Sequence, residues 1–368
     1  VEVICYIFRN WSYDINNKLI DEFKTNGVVF HCVEAGKEDF AGWLNSVFKE
    51  KIFKLFSKLF PLKKTALANS VSRRNVGLTK ALNNISSADL VIGHNPGALW
   101  ATFVAGTKFN CKMGFDVEDY HPGEGTDLHL QNLTRKLMQH VLPKMNYVSF
   151  ASTLILEEIK NEVNSDYKNW VTILNYFPAD EFSVPQIVIT GTLKLVWFSQ
   201  NINEGRGLEL ILDSLKSNPE KVELHLYGNP NAEFEKKYLS GQKNIFLHGT
   251  FPQGKLHKEI QKYDVGLALD IPTDKNRELA ITNKILAYYQ AGLYILASNT
   301  KSHKLFMQNN TEAGICFDYK KNFDEVLQSL ILNVNSIREF RILNSEKVSE
   351  NNWEKESQKL LETWKNTI

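Results

Sequence analysis

The second half of the chain alternates short apolar runs with amphipathic stretches, and this alternation constrains the fold more than any other feature. Each apolar run has the length of a β-strand and ends at a polar or glycine-containing turn; the runs are residues 193–198, 222–227, 244–248, 265–269 and 293–297. A helical pattern follows the first run, with Leu208, Ile211, Leu212 and Leu215 on one face. This order of strands and helices predicts right-handed crossovers and a parallel sheet.

The first half shows the same alternation, with candidate strands at residues 3–8, 28–33, 90–94, 111–116, 147–151 and 171–175. A length of 368 residues is long for one compact core, so we expect two Rossmann-like, doubly wound α/β domains. Their expected bounds are residues 1–180 and 190–350, with a linker over 180–191 that is poor in helical periodicity. A separate amphipathic helix is expected over 351–368.

Composition excludes several classes of protein. The formal net charge of +1 gives no basic excess for nucleic acid binding. The four cysteines (Cys5, Cys32, Cys111 and Cys316) lie far apart without metal-ligand spacing, and we expect buried thiols in a reducing compartment. No apolar run reaches the roughly 18–20 residues of a membrane span, and the first residues do not have the pattern of a signal peptide. We therefore expect a cytoplasmic protein, with peripheral attachment to the inner face of the cell membrane as an open alternative.

The segment over residues 277–292 is the most informative for chemistry. It leads from a predicted strand into a helix that starts near Asn283, and such a helix start presents free N–H groups and a positive dipole end to phosphate. Glu278 is suited to accept hydrogen bonds from sugar hydroxyls, and Asn283 and Lys284 are suited to bind further polar parts of a ligand. The alternative interpretation is a capped helix in a solvated charged surround.

The run from Asn283-Lys284 through Tyr288 to Ala291-Gly292, followed by the strand ending at Ala297-Ser298, resembles the donor-site signature of the family-four GT-B glycosyltransferases. The resemblance implies a GT-B fold, in which two Rossmann-like domains face a central cleft. It further implies that the N-terminal domain binds the acceptor and the C-terminal domain binds a nucleotide sugar, and that the final helix packs back on the N-terminal domain. Glu278, Leu279 and Ala280 would then line the donor site, with the helix start at the diphosphate. The family usually has a second Glu, which binds the donor ribose, where this chain has Ala287.

A second family motif follows the first strand of the C-terminal domain. Family members place an Arg near the strand end and a Lys-Gly pair about six residues later, and both cations stabilise the departing diphosphate. Here Arg206-Gly207 fits the second place, whereas Gln200 occupies the first, between the binding candidates Ser199 and Asn201. A guanidinium binds phosphate through two N–H donors, so Arg in place of Lys is chemically sound. The alternative for Arg206 is an exposed loop cation.

Two further turns match loops that line the family's nucleotide cleft: Tyr227-Gly228 and His248-Gly249-Thr250. Glycines in such loops allow the backbone to approach a ligand closely, and they are also ordinary turn residues.

In the first half, the loop over residues 116–124 resembles the family segment that faces the reacting sugar, with Glu118 at the place of a His and Asp119 at the place of a Glu. We take Glu118 and Asp119 as catalytic candidates, because dense titratable groups in a cleft indicate a site; a solvated acidic loop is the alternative. The candidates for acceptor binding are Asn10, Trp11, His94, Asp116 and His121. The family uses protein cations and helix dipoles at the diphosphate, so we expect no metal and no required cofactor.

Residues 40–64 form a wide apolar stripe surrounded by lysines. A basic amphipathic helix can lie on an anionic bilayer surface, and GT-B enzymes with lipid-linked acceptors commonly use one. The alternative is a core-packing helix whose lysines extend to solvent.

The expected function is transfer of a sugar from a nucleotide diphosphate sugar to a saccharide or lipid-linked saccharide, in bacterial-type surface polysaccharide or glycoconjugate synthesis. The resemblance implies retention of configuration. A GT-B nucleotide-sugar epimerase is an open alternative, because Glu118 or Asp119 could act as acid and base. A glycosyltransferase-like subunit without activity is another, because Gln200 and Ala287 depart from the family pattern.

Overall fold

The computed structural model describes residues 1–10, 13–163, 169–183, 191–348 and 350–368. The chain forms two compact units, one of Val1–Thr172 with Leu361–Ile368 and the other of Ile173–Leu360. The described part of the expected linker, up to Ser183, belongs to the second unit, whereas residues 184–190 lie outside the described residues. The expected domain bounds at 180, 190 and 350 stay predictions.

The first unit contains a two-stranded parallel sheet, β1-β2, and a four-stranded parallel sheet in the order β3-β4-β5-β6. The strands are β1 (Glu2–Ile7), β2 (Val29–Glu34), β3 (Leu90–His94), β4 (Lys112–Val117), β5 (Tyr147–Phe150) and β6 (Trp170–Thr172). The helices are α1 (Tyr13–Thr25), α2 (Phe40–Phe56), α3 (Lys64–Val71), α4 (Arg74–Ala81), α5 (Asn95–Phe109), α6 (Leu128–Val141) and α7 (Thr153–Val163).

Helix α5 shows how the sequence sets these elements. His94 ends β3 with extended backbone, and Asn95 takes a positive φ of 66°, which asparagine adopts more readily than most residues. Pro96 then occupies the first turn, where its missing N–H is not needed. The helix ends at Asn110 in the left-handed conformation. The turn therefore holds His94 at the carboxyl end of β3.

The second unit is built on a six-stranded parallel sheet in the order β12-β11-β10-β7-β8-β9. Its strands are β7 (Leu193–Ile202), β8 (Val222–Pro230), β9 (Ile245–Leu247), β10 (Val265–Ala268), β11 (Tyr294–Ser298) and β12 (Gly314–Phe317). Its helices are α8 (Leu212–Lys216), α9 (Ala232–Phe234), α10 (Gln253–Ile260), α11 (Lys275–Leu279), α12 (Asn283–Gln290), α13 (Lys301–Asn309), α14 (Asp324–Leu332) and α15 (Val334–Val348). The strand order reverses between β7 and β10, and ligands of open α/β sheets bind outside the carboxyl ends at such a point.

The two faces of this sheet carry separate cores, because successive strand side chains point to opposite faces. Leu195 and Trp197 pack on one face, and Val196 packs on the other with Ala268 and Ile285. The second face thus holds α12 against the sheet. Strands buried on both faces explain why the apolar runs are nearly continuous.

Helix α16 (Trp353–Thr367) closes the chain. Its first turns belong to the second unit, where the Trp353 N–H donates to the Phe177 carbonyl (3.0 Å) and Glu356 accepts from the Leu174 N–H (3.0 Å). Its last turns belong to the first unit, where Trp364 Nε1 donates to the Tyr147 hydroxyl at 2.8 Å.

Two expectations about the bounds of helices and strands need correction. The stripe over residues 40–64 is not one helix: α2 ends at Phe56 and α3 begins at Lys64, because Pro61 has no N–H to donate and disfavours helical backbone before it. Strands β7 and β8 run on to Ile202 and Pro230, so Ser199, Gln200 and Asn201 lie in a strand.

The expectation of buried thiols is wrong, because none of the four cysteines is fully buried. Cys32 is exposed, and it faces Cys5 across β1 and β2 with 3.9 Å between the sulfur atoms. The sequence spacing hides this contact, because parallel strand register brings the two residues together. Among the described residues, no helix combines the length and apolar character that crossing a membrane requires.

Candidate functional site

The loop after β7 packs against the end of β10 at the point where the strand order reverses. Gly207 has a φ of 83°, which favours glycine, and a Cβ there would lie 2.9 Å from Leu269 Cβ and 3.1 Å from the Asp270 amide nitrogen. The loop also carries Arg206, which is exposed. Close packing at Gly207 therefore fixes Arg206 beside the carboxyl end of the neighbouring strand.

Asp270 is the centre of a charged cluster at this end of the sheet. Its Oδ1 lies 3.8 Å from Arg277 Nη1, which donates to the Gly205 carbonyl at 2.9 Å. Burial raises the pKa of Asp270, while the charges of Lys284, Arg277 and Arg206 act to lower it. Burial lowers the pKa of Lys284, Asp270 acts to raise it, and the two arginines act to lower it. Arg277 thus approaches Asp270 directly, and Lys284 and Arg206 lie close enough for their charges to act on it, so basic side chains outnumber the carboxylate in this cluster.

The start of α12 lies beside this cluster and lacks a side-chain cap. Thr282 occupies the cap position without a capping bond, and its Oγ1 lies 3.2 Å from His303 Nε2. His303 Nδ1 lies 3.1 Å from the Ser298 carbonyl oxygen, which can only accept, so Nδ1 carries the proton and Nε2 accepts from Thr282. Burial lowers the pKa of His303 to about 4 and keeps the ring neutral. The first N–H groups of α12 are therefore left without the threonine cap that such a position usually supplies.

Glu278 lies on the short helix α11, which begins at a capping bond from the Arg277 N–H to Asp274 Oδ1 (2.9 Å). Its Oε2 atom is buried and has no hydrogen-bond partner among the described residues. A buried carboxylate oxygen without a partner is costly, so this atom is suited to accept from a ligand. Leu279 is buried, and the Ala280 carbonyl accepts from Ser302 Oγ at 2.7 Å. Asn283 is exposed as the first residue of α12.

The ends of β7, β8 and β9 bring the other donor-site candidates together. Gly228 has a φ of 140°, and a Cβ there would collide with the Ser199 carbonyl oxygen. The Gly228 N–H donates to the Gly249 carbonyl at 2.8 Å. The rings of Tyr227 and His248 stack with centroids 4.6 Å apart. The remaining candidates in this region, Gln200, Asn201 and Thr250, are exposed.

Ala287, at the place of the family's ribose-binding Glu, is fully buried in the apolar core of α12. Four residues of the cluster and of the α12 start received no role from the sequence: Asp270, Arg277, Thr282 and His303. Their side chains meet only through loop conformation and strand order, which no local pattern encodes. The available signal was the position of Asp270 directly after a predicted buried strand.

The first unit carries a separate group of titratable side chains at the ends of β3 and β4. His94 and Asp116 are register partners, and His94 Nδ1 lies 3.1 Å from Asp116 Oδ2 and 3.5 Å from Glu118 Oε1. Asp116 also accepts a hydrogen bond from Ser149. The hydrogen bond to Glu118 raises the pKa of His94, burial raises the pKa of Asp116, and the bond to His94 lowers the pKa of Glu118. The shifts of His94 and Glu118 therefore favour a protonated imidazole beside a charged carboxylate.

Side-chain contacts from neighbouring helices hold the rest of the acidic loop in place. The Tyr120 hydroxyl and Arg135 Nε both donate to Glu162 Oε1, and the distance from Arg135 Nε is 2.7 Å. His121 Nδ1 lies 3.0 Å from Glu124 Oε2, while its Nε2 is buried without a partner among the described residues. These contacts fix the loop and leave one polar ring atom for a ligand.

Two other first-unit candidates, Asp119 and Asn10, accept backbone hydrogen bonds from residues two and three positions later. The Asp119 carbonyl accepts from the His121 N–H at 2.9 Å, and the Asn10 carbonyl accepts from the Tyr13 N–H at 3.0 Å. Trp11 lies outside the described residues. In the described part of the chain, no three His, Cys, Asp or Glu side chains are grouped to hold a metal ion.

No family model matches the chain, and no curated protein sequence matches it. Several solved structures match it in fold. Anabaena HepE in complex with UDP is 11% identical with a TM-score of 0.66, over 99% of this chain and 92% of that one. A glycosyltransferase from Rickettsia africae is 12% identical with a TM-score of 0.63, over 100% and 97% of the two chains.

TarM is 17% identical with a TM-score of 0.57, over 80% of this chain, and the match spans 58% of the TarM chain. At these identities the likeness concerns the fold. It confirms the architecture that the donor-site signature implied. The chain has the GT-B fold, with two Rossmann-like domains built on parallel sheets.

Proposed function

We propose that the protein is a glycosyltransferase that moves a sugar from a nucleoside diphosphate sugar to a saccharide hydroxyl. The observation that carries the proposal is the cluster of Arg206, Lys284 and Arg277 around Asp270, beside the uncapped start of α12. Cations and free helix N–H groups together suit a diphosphate. The cluster lies at the carboxyl end of a parallel sheet where its strand order reverses, the usual place for a nucleotide.

The charges fit the reaction as well as the ligand. When the bond between the sugar and the diphosphate breaks, negative charge grows on the leaving phosphate, and fixed cations stabilise it. Bound diphosphate also favours the charged form of Lys284, which burial alone disfavours. The cluster is thus most complementary to the ligand when the leaving group carries its full charge.

Glu278 supports the donor-sugar end of the site. Its buried, unpartnered Oε2 would accept from a sugar hydroxyl and gain the hydrogen bond that it lacks in the free protein. The Leu279–Ala280 turn follows directly and would place backbone groups near the same sugar.

The acceptor and the reacting sugar are assigned to the first unit. The support is the group formed by His94, Asp116 and Glu118, with Asp119 and His121 on the same loop. Asn10 and Trp11 would extend the acceptor surface. The family resemblance favours attack on the face from which the diphosphate leaves: the acceptor oxygen bonds to the sugar carbon, the bond to the phosphate breaks, and the acceptor proton passes to the leaving phosphate oxygen. Configuration is then retained, and no metal or cofactor is required.

Similar structures support the donor class. Complexes of HepE are named for UDP, for UDP with glucose and for UDP-glucose. One TarM complex contains fondaparinux, alpha-GlcNAc-glycerol and UDP. Surface polysaccharide or glycoconjugate synthesis in a bacterial-type cytoplasm is consistent with these ligands.

Helix α2 supports peripheral membrane contact as part of this function. Phe40, Leu44, Phe48 and Leu55 fall on one helix face and are each at least half exposed, with Lys51 in the same face. Exposed apolar side chains among lysines suit an anionic bilayer surface, where a lipid-linked acceptor would be found. The protein is expected to sediment with phosphatidylglycerol vesicles and not with phosphatidylcholine vesicles, and Phe48→Ser with Leu55→Ser should abolish this. Unchanged sedimentation of the double variant would exclude α2 as the contact.

The function is tested by two measurements. The first is a thermal-shift screen with uridine, guanosine, adenosine and thymidine diphosphates, since ligand at about 100 times its dissociation constant adds roughly 2.7 kcal/mol of stability. The second is incubation with the matching nucleotide sugars, with and without saccharide acceptors. Sugar transfer that requires an acceptor supports the proposal. A new nucleotide sugar formed without acceptor identifies an epimerase, and failure to bind any nucleotide identifies a subunit without activity.

A further inference from the structure

One face of β8 and β9 carries an unbroken group of rings at the carboxyl end of the second sheet. His225 and Phe246 are register partners, and their ring centroids lie 4.8 Å apart. His248 directly follows β9 and stacks on Tyr227 with an interplanar angle of 18°. Glu223 lies on the same face of β8, two residues before His225. Strand periodicity and register together place a carboxylate, two imidazoles and a phenol ring in one row.

The carboxylate and the two imidazoles form a chain of hydrogen bonds. His225 Nε2 lies 3.3 Å from Glu223 Oε2, and His225 Nδ1 lies 2.9 Å from His248 Nε2. Glu223 Oε2 also forms an ion pair with Lys194 Nζ at 3.8 Å. Burial lowers the pKa of His225 to about 4, so this ring is neutral and has a single N–H.

These contacts determine where every proton lies. A carboxylate can only accept, so the single proton of His225 is on Nε2 and its Nδ1 is a bare acceptor. His248 Nε2 must therefore carry a proton and donate to that atom. Burial lowers the pKa of His248 as well, which keeps its ring neutral and leaves the lone pair on Nδ1. No group in the described part of the chain is hydrogen-bonded to this Nδ1, and the side chain is exposed.

We propose that His248 reads the nucleobase of the donor by accepting, at Nδ1, a hydrogen bond from a ring N–H that lies beside a carbonyl. Uracil and thymine carry this group at N3 and guanine carries it at N1, whereas adenine has a bare nitrogen at the equivalent place. The inference rests on the proposed function, since it requires a nucleotide at this sheet end. His225 is a positioning residue: it does not meet the base, but it sets the tautomer of His248.

The position of His248 fits this role. It lies two strands from β7, whose loop carries Arg206, and neighbouring strands are about 4.8 Å apart. The resulting separation of about 10 Å is one that a ribose and its 5′-phosphate can bridge from the cation cluster to a base. The ring of Tyr227 is almost fully buried and stacks on His248, so it supports the imidazole in its position.

The test compares UDP with 3-methyl-UDP, in which a methyl group replaces the N3 proton, by calorimetric titration at pH 7.5. Wild-type protein is expected to bind UDP roughly tenfold more tightly, the value of one good hydrogen bond. His248→Phe keeps a ring but loses the acceptor, so its affinities for the two ligands should agree within about twofold. His248→Asn places an amide oxygen near the position of Nδ1 and should recover part of the preference.

Two further variants separate this role from a structural one. His225→Phe removes the group that sets the tautomer, and it should reduce the preference for UDP although it leaves His248 in place. Phe246→Leu alters the same sheet face without touching the hydrogen-bond chain, and it should keep the roughly tenfold preference. Melting temperatures of all variants, measured without ligand, show whether each is folded.

The outcomes distinguish the inference from the function on which it rests. Equal binding of UDP and 3-methyl-UDP by wild type, or an unchanged preference in His248→Phe, overturns the role of His248 while the transferase stands. If GDP binds more tightly than UDP, the same comparison is made with 1-methyl-GDP. Preference for ADP over both overturns the inference. Absence of binding to every nucleoside diphosphate overturns both.

Discussion

Thr282 donates its hydroxyl proton to Nε2 of His303, 3.2 Å away, and makes no capping bond to the helix that it precedes. This hydrogen bond connects the residue before α12 to α13. The first amide groups of α12 therefore have no side-chain cap and are free to bind another partner. A buried histidine that serves this purpose must stay neutral, because a proton on Nε2 would remove the acceptor that Thr282 needs.

This requirement predicts a pH dependence of stability. His303 has a folded-state pKa of about 4, depressed by burial and by the nearby charge of Lys284, against an ordinary value of about 6.5. Between these values the unfolded chain binds a proton that the folded chain does not, so the free energy of unfolding falls as pH falls through this window. Urea denaturation should show a His303 contribution of about 2 kcal/mol lost between pH 7.5 and pH 5.

His303→Asn is expected to be less stable at pH 7.5 but to lose correspondingly less on acidification. His225 contributes to the same window in both proteins, so the difference between them isolates His303. An identical pH slope in variant and wild type would contradict the assigned protonation state.

Arg206 is predicted to face the donor diphosphate. Arg206→Ala should weaken nucleoside diphosphate binding and lower turnover by roughly a hundredfold, the loss typical of removing one stabilising group from a developing charge. Arg206→Lys should keep part of the activity, and Gln200→Arg should be tolerated. Steady-state kinetics and nucleotide titration check these values, with Lys216→Ala, a surface lysine paired with Asp213, as the matched control. Wild-type rate and affinity in Arg206→Ala would refute the placement.

The same cluster predicts a different result for Arg277. Its guanidinium approaches Asp270 and also donates to the Gly205 carbonyl, so Arg277→Ala removes a charge and an anchor of the loop that carries Arg206. Its effect on nucleotide affinity should exceed that of Arg206→Ala. The double variant should be less impaired than the two single losses predict together, because both act on one loop. Full additivity in the titrations would argue against this coupling.

Glu278 is predicted to hold the donor sugar through its unpartnered carboxylate oxygen. Glu278→Gln should lower turnover strongly with an unchanged melting temperature, since the amide reproduces the hydrogen bonds of a carboxylate only in part. Binding of the nucleoside diphosphate alone should be unaffected, because that ligand has no sugar to meet Glu278. Turnover near that of wild type would remove Glu278 from the site.

The sequence predicts the elements well where the apolar pattern is strong. The pattern predicts a strand over residues 90–94 and a helix start near Asn283, and the structure has β3 and the start of α12 at these positions, because buried apolar runs leave little freedom. The stripe over 40–64 misleads, because apolar spacing continues through Pro61 although the helix does not. Gly314–Phe317, the edge strand β12, was missed as a run too short to stand out.

The residues of the candidate site also fall into those that the sequence predicts and those that only the structure reveals. Arg206, Glu278 and Lys284 were singled out from motifs, and the structure brings Arg206 and Lys284 to one carboxylate. Asp270 and Arg277 became visible only in three dimensions. The proton positions on His225, His248 and His303 depend on which atoms meet across strands and helices, and sequence spacing contains no information on such contacts.

A buried ion pair gives the clearest stability prediction. Arg338 Nε lies 2.8 Å from Asp264 Oδ1, both side chains are almost fully buried, and Asp264 Oδ2 also accepts from the Lys194 N–H at 2.9 Å. Arg338→Ala removes the cation that is hydrogen-bonded to this buried carboxylate and should cost about 3–5 kcal/mol in chemical denaturation. Adding Asp264→Asn should recover part of this loss. A cost below about 1 kcal/mol, the value of an exposed pair, would mean that water reaches the carboxylate.

The hydrogen bond from Trp364 to Tyr147 has a consequence for the order of events during biosynthesis. Residues 1–172 leave the ribosome well before Leu361–Ile368, and the whole of the second unit is translated in between. The second unit is continuous in sequence, so it can fold as soon as it emerges, as domains generally do. The first unit must wait with the Tyr147 hydroxyl unsatisfied until its distant partner arrives. Chains that end at Leu360 and have been released from the ribosome should therefore hold a folded second unit beside an unfinished, protease-sensitive first one.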